Sequence, residues 1–125
     1  MNDSIYREHI LDHNANPRNF GLMEHPDLDA ERVNTTCGDE IRVQATLEGD
    51  RITRMQFSGR GCAISQAAAS MLTEAVVDKM LTDVQMLGPA DITRLLGITP
   101  SPSRMRCALL SLETLKASIA QRRSS

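Results

Sequence analysis

Tryptophan is absent, and Tyr6, Phe20 and Phe57 are the only aromatic residues in the chain. A core of aliphatic, alanine and methionine side chains must therefore stand in for aromatic packing, and seven methionines are available for it. Excess basic charge is also missing. The formal net charge is −2, and the few cations near the C-terminus (Lys116, Arg122, Arg123) read as a solvated helix end, so nucleic acid is not an expected partner. No apolar run approaches the length that spans a bilayer, which excludes a transmembrane helix and any membrane partner. The opening Met1-Asn2-Asp3-Ser4 has no basic n-region followed by an apolar h-region, and the protein is expected to be cytoplasmic. Finally, there is no Cys-x-x-Cys pair. Three cysteines cannot all pair within one chain, and a reducing compartment keeps them as thiols, so metal binding or sulfur chemistry outranks disulfide stapling.

What remains is the make-up of an ordinary globular protein. Apolar residues are 41% and charged residues 24% of 125 positions, enough for one domain over residues 1–125 with a core that needs no disulfide. Ile5, Tyr6, His9, Ile10 and His13 share one helical face from Ser4 to about Asn14, with Asp3 or Ser4 as cap. Asn14 to Gly21 is dense in turn formers and closes that helix. His9 and His13 stand at a metal-compatible spacing. With no further ligand on the same helix, they read as two amphipathic histidines with one face packed.

Glu31 to Thr35 reads as a short strand. From Glu40 to Glu48 the alternation is clear, with Ile41, Val43, Ala45 and Leu47 on one side and polar residues on the other. Gly49-Asp50 then turns the chain into a strand over Arg51 to Ser58, making an antiparallel hairpin. Ile52 has the wrong parity for Met55 and Phe57, which points to a bulge or to a local packing need near the turn. After Gly59-Arg60-Gly61 the period lengthens: Ile64, Ala67, Ala68, Met71, Leu72, Ala75 and Val76 form the apolar stripe of a helix opening at Cys62. Thr82 or Asp83 is expected to cap a short helix through Leu87, and Asp91 another through Leu96 with Gly97 at its end. A last helix starts near Ser101–Ser103 with Leu109, Leu112, Leu115 and Ile119 inward, and Gln121 to Ser125 is expected to fray. The pattern is α+β: a three-stranded antiparallel sheet packed against several helices.

The cysteines all fall at element ends. Cys37 is in the turn between two strands, Cys62 at a strand-to-helix junction, and Cys107 in the first turns of the last helix. Scattered cysteines are by default inert core. Here the flanks argue otherwise, because Cys37 and Cys62 stand beside glycine and Cys107 follows Arg104 and Arg106. Glycine permits close backbone approach, and arginine or a helix N-terminus favours thiolate. If the element ends converge at one sheet edge, three thiolates and Asp39 make a four-coordinate set suited to zinc or to iron with sulfide.

Five segments then carry a resemblance. Tyr6-Arg7-Glu8-His9-Ile10-Leu11-Asp12-His13, Asn16-Pro17-Arg18-Asn19, Thr36-Cys37-Gly38-Asp39, Gly59-Arg60-Gly61-Cys62-Ala63-Ile64-Ser65 and Arg104-Met105-Arg106-Cys107-Ala108-Leu109-Leu110 together resemble the IscU/SufU/NifU-type iron–sulfur cluster assembly proteins. The likeness implies a SufE/NifU-like α+β fold, a cysteine desulfurase as sulfur donor, downstream cluster acceptors, and a site of Cys37, Asp39, Cys62 and Cys107. The IscU branch usually places a histidine before the last cysteine; Arg106 stands there instead. Gly-Cys-Ala-Ile-Ser and Arg-x-x-Cys-Ala-x-Leu look more like the SufU branch, whose members resemble zinc-containing sulfur acceptors. SufU proteins typically carry an extra segment between the second and third cysteines, and this chain is compact there.

The leading expectation is sulfur transfer from the desulfurase onto Cys37, with zinc held by the three cysteines and with Asp39 as the weaker oxygen ligand. The same residues would serve a transient [2Fe–2S] assembly scaffold. A structural zinc in an interaction module is the reading from a different class.

Overall fold

The computed structural model describes the backbone of residues 3–35 and 38–124, with side chains for residues 7–35 and 38–122. Thr36 and Cys37 lie outside the described residues, as do the side chains of Asp3 and Ser4 proposed as caps. In chain order the elements are α1 (Asp3–Ala15), β1 (Leu28–Asn34), β2 (Asp39–Glu48), β3 (Arg51–Arg60), α2 (Ala63–Ala75), α3 (Leu81–Gln85), α4 (Pro89–Leu96) and α5 (Pro102–Ser124). The strands form one antiparallel sheet in the order β1-β2-β3. The expected α+β class is what forms.

Strand β2 is central, and Ile41, Val43 and Ala45 are fully buried on one face, against the helices. Glu48 pairs with Arg51 across a two-residue turn whose first residue, Gly49, has φ +64°. A positive φ at that position is what a tight hairpin of this kind requires. The parity conflict at Ile52 resolves as a bulge. Thr46 pairs with Arg54 but Leu47 with Ile52, leaving Thr53 as the extra residue. Its hydroxyl donates to the Thr46 carbonyl at 3.1 Å and lies 2.8 Å from the Thr46 hydroxyl. The insertion swings Ile52 onto the core face, where it is wholly buried.

Helix α2 is the hub, packing on α1, α4, α5 and β3. Its run of small residues, Ala67, Ala68, Ala69 and Ser70, has no solvent exposure at all. The chain between α1 and β1 is not loose loop. Asn19 and Gly21 bond the two sides of Phe57, with the Phe57 N–H donating to the Asn19 carbonyl at 3.0 Å and the Gly21 N–H to the Phe57 carbonyl at 2.9 Å. Ser70 Oγ accepts the Arg18 N–H at 2.8 Å and lies 2.7 Å from His13 Nδ1. His13 is 3% exposed and His9 is at the surface, so the two histidines expected to share one packed face split into one buried and one exposed ring.

Several boundaries differ from expectation. The first strand begins at Leu28 rather than Glu31, because an edge strand is held by its ladder and by cross-strand pairs such as Arg42 with Asp29, 2.9 and 2.8 Å. Only Leu28 in it is buried, so no alternation marks it. The third strand runs on to Arg60 instead of stopping at Ser58. Helix α3 starts from Met80 without a side-chain cap and ends at Gln85, so Thr82 and Asp83 lie inside it. Helix α4 starts at Pro89, with Gly88 as N-cap; Asp91, on its first turn, accepts the Gly88 N–H at 2.8 Å. Gly97 closes α4 with φ +78° as expected. Helix α5 continues to Ser124 where fraying from Gln121 was expected.

Candidate metal centre

Three of the four expected residues fall among the described ones, and the fold gathers all three. Asp39 is the first residue of β2, Cys62 the N-cap of α2, and Cys107 lies in the second turn of α5. One carboxylate oxygen and the two Sγ atoms lie within 4.8 Å of one another. Asp39 and Cys107 are each 1% exposed, and Cys62 is partly exposed. Cys37 belongs to the segment between Asn34 and Asp39 and lies outside the described residues.

Asp39 is fixed through both oxygens. Oδ1 accepts the Cys62 N–H at 2.9 Å, and Oδ2 lies 3.8 Å from Cys62 Sγ. The carboxylate thus satisfies a backbone donor at the start of α2, where the helix macrodipole favours negative charge. The two motif glycines make room for this. A Cβ on Gly61 would come within 2.8 Å of Asp39 Cγ, and closer still to Asp39 Oδ1 and Ser65 Oγ. Gly59, at φ +132°, would drive a Cβ into the Glu40 carbonyl. Gly61 therefore shapes the site itself, and Gly59 the strand pairing that carries it.

The donor set suits a tetrahedral thiophilic ion. Zinc bound to sulfur and oxygen sets neighbouring ligand atoms about 3.5 Å apart. The Asp39–Cys62 pair already stands near that value at 3.8 Å, and Cys107 Sγ lies within 4.8 Å of both.

Arg104 and Arg106 are exposed. Arg106 lines a cleft of about 330 Å³ with Arg32, Val33, Asn34, Thr35, Leu110 and Glu113, next to the segment that carries Cys37. Arg60, inside the glycine motif, turns away and donates to Glu40 at 2.6 Å. Residue-type reasoning missed Ser65, whose hydroxyl donates to the Cys62 carbonyl at 3.0 Å. Its position three residues after an N-cap was the available signal.

An α+β layer that brings two thiols and a carboxylate together at its element ends defines a small protein with a candidate thiol-rich metal site. Residues 5–124 match the family model of the NifU-like N-terminal domain, and the chain belongs to that family. Its relatives include the zinc-dependent sulfurtransferase SufU of Bacillus subtilis, 35% identical over 136 residues, covering 95% of this chain and 92% of the relative. That aligned stretch is longer than this entire chain, in keeping with the compactness noted above. The iron–sulfur cluster assembly scaffold protein IscU of Aquifex aeolicus is 37% identical, covering 91% of this chain and 73% of its own length. Among solved structures, the SufU of Fervidobacterium islandicum AW-1 superposes with a TM-score of 0.81 at 26% identity, covering 95% of this chain and 99% of that one. The N-terminal NifU-like protein of Brucella abortus shares the fold at a TM-score of 0.80 and 19% identity. None of the described helices is long and apolar enough to cross a membrane.

Proposed function

We propose that this chain accepts sulfur from a cysteine desulfurase at a site of Cys37, Asp39, Cys62 and Cys107, and serves iron–sulfur cluster assembly. The observation that carries the reading is the convergence of Asp39, Cys62 and Cys107 to within 4.8 Å from three separate elements. Cys37, two residues before Asp39 in the sequence, is the fourth ligand of the proposed set.

The transfer step is a nucleophilic displacement at sulfur. A thiolate of this chain attacks the outer sulfur of a desulfurase persulfide. A new S–S bond forms, the donor's S–S bond breaks, and the desulfurase cysteine leaves as thiolate; no external oxidant is needed. Cys107, at 1% exposure, is shielded from an incoming protein. That leaves Cys37 and Cys62, and Cys37 is the proposed acceptor because its sequence context, a Cys-Gly-Asp turn, suits an outward-reaching thiol better than a helix N-cap does. Zinc, when bound, would keep the thiols deprotonated and guarded. Asp39 supplies the weak oxygen ligand.

A second reading uses the same residues as a scaffold for a transient [2Fe–2S] cluster. It draws on the likeness to IscU proteins, while Arg106, in place of a histidine ahead of the last cysteine, favours sulfur transfer. One experiment separates them: incubation with a cysteine desulfurase, cysteine and Fe²⁺, reading bound metal, persulfide on each cysteine and visible absorbance. Persulfide on Cys37 with zinc retained is the expected result. An iron–sulfur chromophore supports the scaffold instead, and Asp39→Ala should then slow cluster loss. Absence of both, with metal removal unfolding the chain, would leave a structural zinc. Cys62→Ser should abolish metal binding, and normal metal content in it would sink the convergent site.

A further inference from the structure

Two buried polar atoms among the described side chains lack any hydrogen-bond partner: Gln66 Nε2 and Ser111 Oγ. Their positions are related to the candidate site. Gln66 is four residues after Cys62 on α2, and Ser111 four residues after Cys107 on α5. Side chains at i and i+4 share a helix face with Cβ atoms about 5–6 Å apart, and helical side chains lean back toward the N-terminus. Each donor thus sits one turn after a site cysteine, on two packed helices whose cysteine sulfurs lie within 4.8 Å of each other, and neither donor is hydrogen-bonded to a sulfur in this structure.

Neither orphan is explained by ordinary helix chemistry. The other buried hydroxyls on these helices are all engaged: Ser65 donates to the Cys62 carbonyl, Ser70 accepts the Arg18 N–H and lies against His13, Thr73 donates to the Ser70 carbonyl at 2.6 Å, Thr114 to Leu110 at 2.7 Å and Ser118 to Leu115 at 2.6 Å. Ser111 makes no such bond. Gln44, the other buried glutamine, has its amide oxygen 2.9 Å from the Met23 N–H and its amide nitrogen near the Met23 carbonyl and Asp29. Gln66 is 9% exposed and Ser111 1%, so solvent does not serve them. An unsatisfied buried donor is destabilising, and an apolar residue of the same shape would be better unless the donor has a use.

We propose that Gln66 Nε2 and the Ser111 hydroxyl are positioning donors whose acceptors are the sulfur atoms of the loaded site: the thiolates of Cys62 and Cys107, or a sulfide held between them. This rests on the metal-site reading above. Neutral donors suit the task, since they stabilise anionic sulfur without binding the metal themselves.

Cobalt(II) titration of the metal-free protein is the test, comparing wild type with Gln66→Met, Ser111→Ala and Ser111→Thr. Loss of a donor to sulfur should weaken cobalt binding by about tenfold, the low end for outer-sphere partners of a metal site. It should also move the sulfur-to-cobalt charge-transfer band to longer wavelength, because an unbonded thiolate gives up its electron more easily. Ser111→Thr should restore both. A merely structural role predicts thermal stability equal to or above wild type, with cobalt affinity and band position unchanged; that result overturns the proposal. Should Gln66→Met fail to fold, the Ser111 pair carries the same test. If wild type itself binds no cobalt, the metal-site reading fails and takes this inference with it, a pattern distinct from variant-specific failure.

Discussion

Gly61→Ala isolates the carboxylate at the heart of the site. The added methyl collides with Asp39 Oδ1, Asp39 Cγ and Ser65 Oγ, none of which can move far inside packed surroundings. Gly61 does not have a positive φ among the backbone angles of the chain, so the cost is steric and local rather than conformational. The carboxylate must withdraw from the Cys62 N–H, now 2.9 Å away. A hydrogen bond to a charged group contributes about 1.5–3 kcal/mol. Taking about 2 kcal/mol, and roughly 4 °C per kcal/mol for a domain of this size, the metal-free variant should melt about 8 °C lower. Cobalt or zinc affinity should fall alongside, since Asp39 Oδ2 moves with Oδ1. Calorimetry of the metal-free protein and a metal titration give the two readings. A variant with unchanged melting and unchanged affinity would refute the argument, because it would mean that the carboxylate does not occupy the space beneath Gly61.

Gly59→Ala should behave differently, lowering stability more than Gly61→Ala because its Cβ strikes the Glu40 backbone at a positive φ; urea denaturation measures it. Ile52→Ala, at a wholly buried site on the bulge, should cost about 3 kcal/mol in the same assay. His13 has its pKa pushed below the usual histidine value, first by burial and then by Arg18 and His9. The unfolded chain therefore binds a proton that the folded one resists, and stability should fall as pH drops through about 6.5 toward the folded pKa. His13→Asn should flatten that slope in urea melts at pH 7.5 and 5.5. Asp29 is shifted downward chiefly by its hydrogen bonds from Arg42, so its contribution is present above the unfolded carboxylate range and is lost as pH falls through the folded pKa. Both partners are more than a third exposed, and Asp29→Asn should have a small effect that added salt erases.

How far the sequence speaks depends on what each residue answers to. Alternation in β2 answers to its helix-facing side and was readable there, although Gln44 on the opposite side is buried too. The stripe of α2 revealed the helix but not its full burial, since every residue from Ser65 to Thr73 is buried. Strand β1 answers to a ladder and to polar cross-strand pairs. It buries Leu28 alone, and a period-two search has nothing to find there. The cap of α4 was misplaced by three residues because Asp91 reaches back from the third helical position to accept the Gly88 N–H, instead of standing ahead of the helix and accepting from residues after it. The turn-rich stretch after α1 looked like connection, yet Arg18 and Asn19 bond Ser70 and Thr73 on α2; those partners lie more than fifty residues away and leave no local mark.

The site divides the same way. That glycine beside a cysteine signals close approach was legible, but not what approaches: Asp39 comes from twenty-three residues upstream, and only the β2–β3 pairing brings its carboxylate beneath Gly61. Gln66 and Ser111 were harder still. A glutamine and a serine on the inner faces of α2 and α5 look like tolerated exceptions to an apolar pattern, and periodicity weighs them as noise. Their shared offset of four from a cysteine carries meaning only once Cys62 and Cys107 are known to meet. An orphaned donor in a folded core is informative because it is costly, and that cost appears only when every neighbour has been placed.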